Sequence, residues 1–359
     1  MREEGYNYRL GARTAVGAES MVHFTKHARF RDILGTVGLS LAVTLVTLAA
    51  LEIVLRVADF RMLREGDTER SLSYRYDAEL GWAPIPNSSS VVTTARTIHV
   101  QHNSLGLRDV EFGRDARPAI LFLGDSFVWG LDAEANERFT DLLRTRILSH
   151  QVINAGVSGY GTDQEYLLLQ RLWPKLKPAV VVLVFCTLND RLDNSTNIRY
   201  EGYIKPYFAA ASDGALVPQG QPVPESRLQY IKENWLVRHL WLARLATSAY
   251  VGIRYPLRFV PDPTERLIGK IRDFVEGNGS RFLVGVQLQD AGLIRYLQES
   301  RIPYVTFDGA ASYPAGSGAH WTPEGHQLVA ERLIGLLSEN HVAQADVRAT
   351  PSIENRAER

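Results

Sequence analysis

The sequence is poor in cysteine: Cys186 stands alone among 359 residues. No internal disulfide can form, which excludes a disulfide-stapled scaffold, while an unpaired cysteine fits either redox compartment. A surplus of one charge is also missing, since 40 Lys and Arg balance 40 Asp and Glu. Nucleic-acid binders cluster a basic surplus, so no nucleic-acid partner is expected. No Cys/His group has zinc-ligand spacing, and no metal or cofactor is expected. Internal repeats are absent. What is present is ordinary globular composition, 45% hydrophobic and 22% charged, in a chain long enough for one large domain with extensions.

The polar stretch 1–32 reads as a mostly disordered tail. Ile33 to Leu51 then carries no charge. An apolar run of about 20 residues matches the hydrocarbon thickness of a bilayer at helical rise. The apolar pattern continues to Val57, with Glu52 and Arg56 four apart on one face. This predicts a transmembrane anchor over 33–58. A buried core helix would carry a polar face, and a signal peptide has a shorter apolar region of about 7–15 residues. The tail is more basic than the near far-side flank, so the positive-inside rule points to a cytoplasmic N-terminus. The expected location is a bacterial inner membrane, single-pass, with the main domain periplasmic or extracellular.

Residues 59–117 have few long apolar runs and read as a linker and lead-in segment. From Pro118 to Asn340, short apolar runs alternate with helical patterns. Strands are expected at Ala119–Leu123, from Val152, at Val180–Phe185, Phe282–Val286 and Tyr304–Phe307. Helices are expected around Phe139–Ile147, Tyr166–Leu172, Thr264–Val275, Leu293–Leu297 and Gln327–Leu337. This alternation implies an α/β fold with a mostly parallel sheet covered on both sides. Residues 190–263 interrupt it and read as an insertion capping or bordering the site. Its apolar piece, Trp235 to Leu245, is expected to pack on the core, with a membrane-surface position as the alternative. Residues 341–359 are polar and read as a disordered tail.

Four blocks carry candidate chemistry. Gly124-Asp125-Ser126-Phe127 follows a strand, which puts a serine at the sheet edge where open α/β folds bind ligands; a capping serine is the plainer reading. Asn154 to Gly161 is a glycine-rich loop after the next strand, able to offer backbone N–H groups to an oxyanion. Thr187-Leu188-Asn189-Asp190 ends a third strand with a side-chain amide or with ordinary turn formers. Gly318-Ala319-His320-Trp321-Thr322-Pro323-Glu324-Gly325-His326 precedes the last helix. His320 lies on the loop and suits a base, whereas His326 falls on the helix face; Thr322 and Pro323 read as cap and first turn.

The joint order of Gly-Asp-Ser, Gly159, Asn189-Asp190 and a late histidine resembles the SGNH (GDSL-like) hydrolase superfamily. Tyr76 to Trp82 and Asn103 to Arg108 resemble its membrane-anchored bacterial members. The resemblance implies a three-layer α/β/α sandwich of flavodoxin-like SGNH type. It also implies Ser126 as nucleophile, His320 as base, and an oxyanion hole of the Ser126 N–H, Gly159 and Asn189. In one respect the chain departs from the family. The family aspartate three residues before the histidine is replaced by Ser317. Asp308, after the last strand, is the expected substitute, and a Ser–His dyad is the alternative.

The chemistry expected is ester cleavage through an acyl-serine, with an O-acyl, foremost O-acetyl, group of an envelope glycan as substrate. Transfer to a sugar hydroxyl gives an O-acyltransferase in place of an esterase. A lipase or thioesterase acting on lipid tails and a non-catalytic glycan-binding protein on the same scaffold are the rival readings.

Overall fold

The computed structural model describes residues 15–64, 73–112, 115–199, 202–315 and 318–343. Helix α1 spans Ala15–Ala58. It begins well before Ile33, so 15–32 is helical where a disordered tail was expected. Once a helical turn exists, each further residue adds a hydrogen bond without a new nucleation cost. Residues 1–14 and 344–359 lie outside the described residues. From Ile33 to Ala58, α1 is apolar over 26 residues, about 39 Å at helical rise. None of its apolar window is buried, which excludes the buried core helix. A membrane anchor and a signal sequence share this pattern.

Two antiparallel hairpins follow: β1 (Tyr74–Asp77) with β2 (Gly81–Pro84), and β3 (Ser89–Thr93) with β4 (Thr97–Gln101). The lead-in segment is therefore folded, not a linker. β4 alternates exposed and buried positions as a one-sided strand does, and β1 and β2 are four residues each, so none of them shows a long apolar run. Val92, Ile98 and Val100 point inward, and Trp82 is fully buried against Tyr160 and Tyr203.

The α/β alternation then runs β5 (Ala119–Gly124), α2 (Ser126–Trp129), α3 (Phe139–Arg146), β6 (Gln151–Asn154), α4 (Thr162–Leu176) and β7 (Val180–Phe185). The insertion supplies α5 (Asp190–Asn194), β8 (Ile198–Arg199), β9 (Tyr203–Ile204), β10 (Tyr207–Ala210) and β11 (Leu216–Gln219). It continues with α6 (Arg227–Glu233), α7 (Trp235–His239) and α8 (Trp241–Arg254). The domain closes with α9 (Thr264–Gly277), β12 (Arg281–Val286), α10 (Ala291–Glu299), β13 (Tyr304–Thr306) and α11 (Pro323–Glu339).

The main sheet has the order β13-β12-β7-β5-β6 and every neighbouring pair is parallel. Alternate side chains of each strand enter opposite cores. Leu121, Leu123, Val181 and Leu183 pack with α4, α9 and α10. Ile120, Phe122, Val182 and Val184 pack with α3 and α11. This is the expected α/β/α sandwich. The chain winds outward from β5 to β6 and then returns to β7. The carboxyl ends of β5 and β7 thus flank the topological switch point, where open α/β sheets bind ligands.

Candidate active site

Ser126 opens α2 directly after β5, at that switch point. Asp125 caps the helix by accepting the Phe127 N–H at 2.9 Å. The first N–H of a helix has no intrahelical acceptor, so the Ser126 N–H is available to a ligand. Gly156 lets the neighbouring loop approach: a Cβ there would meet the Trp129 nitrogen at 2.4 Å.

His320 arrives from the other side on the loop before α11. Its Nε2 lies 2.8 Å from Ser126 Oγ, so the expected nucleophile and base are hydrogen-bonded. The ring is held between elements. Phe127 lies 4.9 Å from it, centroid to centroid, and Trp321 packs edge-on against Phe127. The Tyr313 N–H donates to the His320 carbonyl at 2.9 Å. His326 is elsewhere, as its helical spacing implies. It is buried between Phe139 and Trp321, accepts the Phe139 N–H on Nδ1, and burial pushes it down to about 3.

The acid is the correction. Asp308 does not face His320: its Oδ1 accepts the Gln289 N–H at 3.0 Å, where the end of β13 turns toward its neighbour strand. The carboxylate beside His320 belongs to Asp132, whose Oδ2 lies 3.6 Å from His320 Nδ1. That is ion-pair distance, looser than a hydrogen bond, as apo catalytic contacts often are. Asp132 is fully buried. Its Oδ1 accepts from the Thr94 hydroxyl and from the N–H groups of Ala95 at 2.9 Å and Arg96 at 3.2 Å, all in the β3–β4 turn. Arg108 fixes the same loop from below, donating to the carbonyls of Gly130 at 2.5 Å and Ala133 at 2.8 Å. Its guanidinium stacks on Trp129 at 4.6 Å. Sequence reading missed Asp132 because it sits in the turn after the nucleophile, not near the histidine. In the structure its backbone is left-handed, at φ 66°. Ser317 lies outside the described residues.

The loop carrying Gly159, at φ 83°, is pinned by the first hairpin. Ser158 N–H donates to the Tyr74 hydroxyl at 3.3 Å, and the Tyr160 hydroxyl donates to the Trp82 carbonyl at 2.5 Å. Asn189 stands at the end of β7, but its amide is turned away from Ser126. Nδ2 donates to Asp193 at 2.7 Å and to Asp190 at 3.3 Å, and Oδ1 accepts from the Cys186 thiol. The physical reason is the demand for donors in the acidic layer beneath the serine.

That layer contains Asp125, Asp163, Glu165, Asp190 and Asp193. Lys205 pairs with Asp163, and Arg199 with Asp193 at 2.9 Å. Burial, then repulsion from the neighbouring acids, pushes Glu165 and Asp190 well up. Burial likewise raises the Cys186 thiol, keeping it a donor. Asp125, Cys186 and Asp190 place ligand-type atoms within 4.8 Å of one another. Hydrogen bonds already join them, including Cys186 N–H to Asp190 at 2.8 Å.

No family model matches the chain, and no curated protein matches it. Among solved structures it is similar to a GDSL-like lipase from Bacteroides thetaiotaomicron VPI-5482, at 14% identity and a TM-score of 0.36, over 64% of this chain and 93% of that one. It is similar to TesA at 15% identity and a TM-score of 0.37, over 62% and 98%. A carbohydrate acetylesterase family member from Sinorhizobium meliloti matches at 14% identity and a TM-score of 0.34, over 62% and 98%. At these TM-scores the likeness adds nothing to the site's own geometry. That geometry, a serine at the switch point of a five-stranded parallel sheet with a histidine from the last loop, agrees with the SGNH type that the motifs imply.

Proposed function

We propose that the chain is a membrane-anchored serine esterase that removes O-acyl groups, foremost O-acetyl, from a cell-envelope glycan. The observation that carries this reading is the 2.8 Å contact between Ser126 Oγ and His320 Nε2 at the switch point. With Oγ as donor, the neutral imidazole carries its proton on Nδ1, facing Asp132. His320 takes the Ser126 proton as Oγ bonds to the ester carbonyl carbon. The resulting oxyanion is held by the Ser126 and Gly159 N–H groups, and by the Asn189 amide once it leaves Asp193. Collapse breaks the C–O bond, and the imidazolium gives its proton to the departing sugar oxygen. Water, deprotonated by His320, then cleaves the acyl-serine. Asp132 acts as a positioning residue, holding the tautomer and offsetting the imidazolium charge.

Support for an envelope location comes from the apolar run 33–58, which has the length and composition of a membrane span, and from the basic N-terminal tail, which favours a periplasmic or extracellular face. The test is fluorophosphonate labelling together with acetate release from an aryl acetate and from an O-acetylated glycan. Ser126→Ala is expected to abolish labelling and to cut turnover by about 10⁶-fold, with unchanged thermal midpoint. Wild-type labelling of Ser126 with no deacylated product, but acetyl groups moved to an added glycan, would make the chain an O-acyltransferase. Turnover by Ser126→Ala equal to wild type would remove the serine from the mechanism.

A further inference from the structure

We propose that α7, α8 and the loop after them, Trp235 to Phe259, rest on the surface of an anionic bilayer beside the foot of α1. The inference rests on the anchor reading of α1 and is independent of the chemistry at Ser126.

The first observation is composition. From Trp235 to Pro261 the sequence has no Asp or Glu, while Arg238, Arg254 and Arg258 are exposed. Each basic residue near an anionic membrane surface is favourable, and an acid in its place would be repelled.

The second is exposure. Trp235 is 68% exposed, Ile253 83% and Phe259 68%. Leu236, Leu245, Tyr250 and Leu257 are exposed as well. Ala246, Ala249, Tyr250 and Ile253 follow helical spacing on one face of α8, whereas Arg244 and Val251 face inward. An apolar stripe with aromatic residues, flanked by arginines, is the pattern of a helix lying in a membrane interface.

The third is attachment. Glu52 stands one residue past the uncharged run of α1. Its carboxylate accepts the first two N–H groups of α8, Trp241 and Leu242, each at 2.9 Å. Arg56 pairs with Glu52 at 2.7 Å and donates to the His239 carbonyl at 2.5 Å. The run Ile33 to Leu51 spans about 28 Å at helical rise, close to the hydrocarbon thickness. The start of α8 is thus tied to α1 at the depth where hydrocarbon gives way to headgroups. A protein partner would need no such register with the anchor. An apolar cavity of about 480 Å³ between α8 and the β8–β9 hairpin, lined by Met62, Ile204, Val251 and Tyr255, adds room for an acyl chain at the same level.

The test uses the full chain in nanodiscs of phosphatidylcholine and phosphatidylglycerol. Cys186 is buried, so a polarity-sensitive thiol dye reports from single added cysteines at Ile253→Cys, Leu257→Cys, Leu45→Cys in α1 and Glu299→Cys on α10. Nitroxide lipids are expected to quench the dye at Leu45, Ile253 and Leu257 several-fold more than at Glu299. Quenching at Ile253 should weaken when phosphatidylglycerol is omitted. Quenching at Leu45 with none at Ile253 and Leu257 would overturn the docking and leave the anchor standing. A blue-shifted but unquenched dye at Ile253 would mean that protein, such as a second copy, covers the face, and would overturn it too. No quenching at Leu45 would overturn the anchor reading and the docking together.

Discussion

The lead-in hairpins and the Trp235–Phe259 segment are both rich in aromatic residues, and they use them oppositely. In the hairpins the polar end of each ring has a partner inside the protein. Tyr74 accepts from Ser158, and Trp82 donates to the Ser158 carbonyl at 3.5 Å. In the insertion, Trp235, Tyr250 and Phe259 face outward. A buried aromatic with a satisfied polar atom fixes a loop, whereas exposed aromatics gathered in one apolar patch mark a surface for contact outside the chain. The first region therefore builds the site, and the second offers a surface.

The sharpest way to break this contrast is to remove what the second hairpin holds. Asp132→Asn keeps an oxygen for the Thr94, Ala95 and Arg96 donors but loses the charge facing His320. Steady-state kinetics should show kcat lowered by up to about 10⁴-fold with KM nearly unchanged. A variant with full kcat would make Asp132 a loop fastener only. Next in size is Trp82→Ala, which empties a fully buried site between Tyr160 and Tyr203. Denaturant unfolding should show a loss of about 3–5 kcal/mol. A loss no larger than that of a surface substitution would return the hairpin to the status of a linker.

Much of this was legible in the sequence, and the gaps have physical causes. Ala119–Gly124 and Val180–Phe185 are buried on both faces, so each shows as an unbroken apolar run. Ser126 and His320 sit at element ends that such runs define. In the hairpins β4 alternates exposed and buried positions, and β1 and β2 are only four residues long, so neither hairpin shows in a search for runs. Asp132 and His320 are joined only by tertiary folding, and spacing carries no trace of it. Asp308 was attractive because it follows the last strand, yet its side chain serves the turn at Gln289. The exposed face of α8 was hidden by composition, because an interfacial helix and a core helix are equally rich in apolar residues.

A smaller effect, of opposite sign, is expected in the acidic layer beneath the serine. Both oxygens of the Glu165 carboxyl are buried without a hydrogen-bond partner among the described residues, and burial pushes it well above the ordinary 4.5. Above that value the unfolded chain releases a proton that the folded chain keeps. Stability therefore falls as pH rises from about 4.5 toward the raised folded value. Glu165→Gln removes this group's share. Thermal unfolding should show higher stability than wild type at neutral pH and a shallower decline between acid and neutral pH. Asp190, raised for the same reasons, keeps the decline from vanishing. An unchanged pH profile would mean that Glu165 is ionised in the folded chain.

The smallest effect belongs to the outward face. Ile253 is 83% exposed, so Ile253→Ser removes little internal packing. In detergent, where the micelle covers the face without ordering it, unfolding should shift by no more than about 0.5 kcal/mol. In bilayers containing phosphatidylglycerol the same substitution deletes apolar area from the interface and should slow hydrogen exchange protection from building along Trp241–Arg254. Trp82→Ala, by contrast, should cost the same stability in both media, because its partners are all within the chain. A large loss for Ile253→Ser in detergent would place that side chain in a protein core. Equal exchange in detergent and bilayer, for wild type and variant alike, would leave the segment with no lipid contact, and the two regions would differ only in exposure.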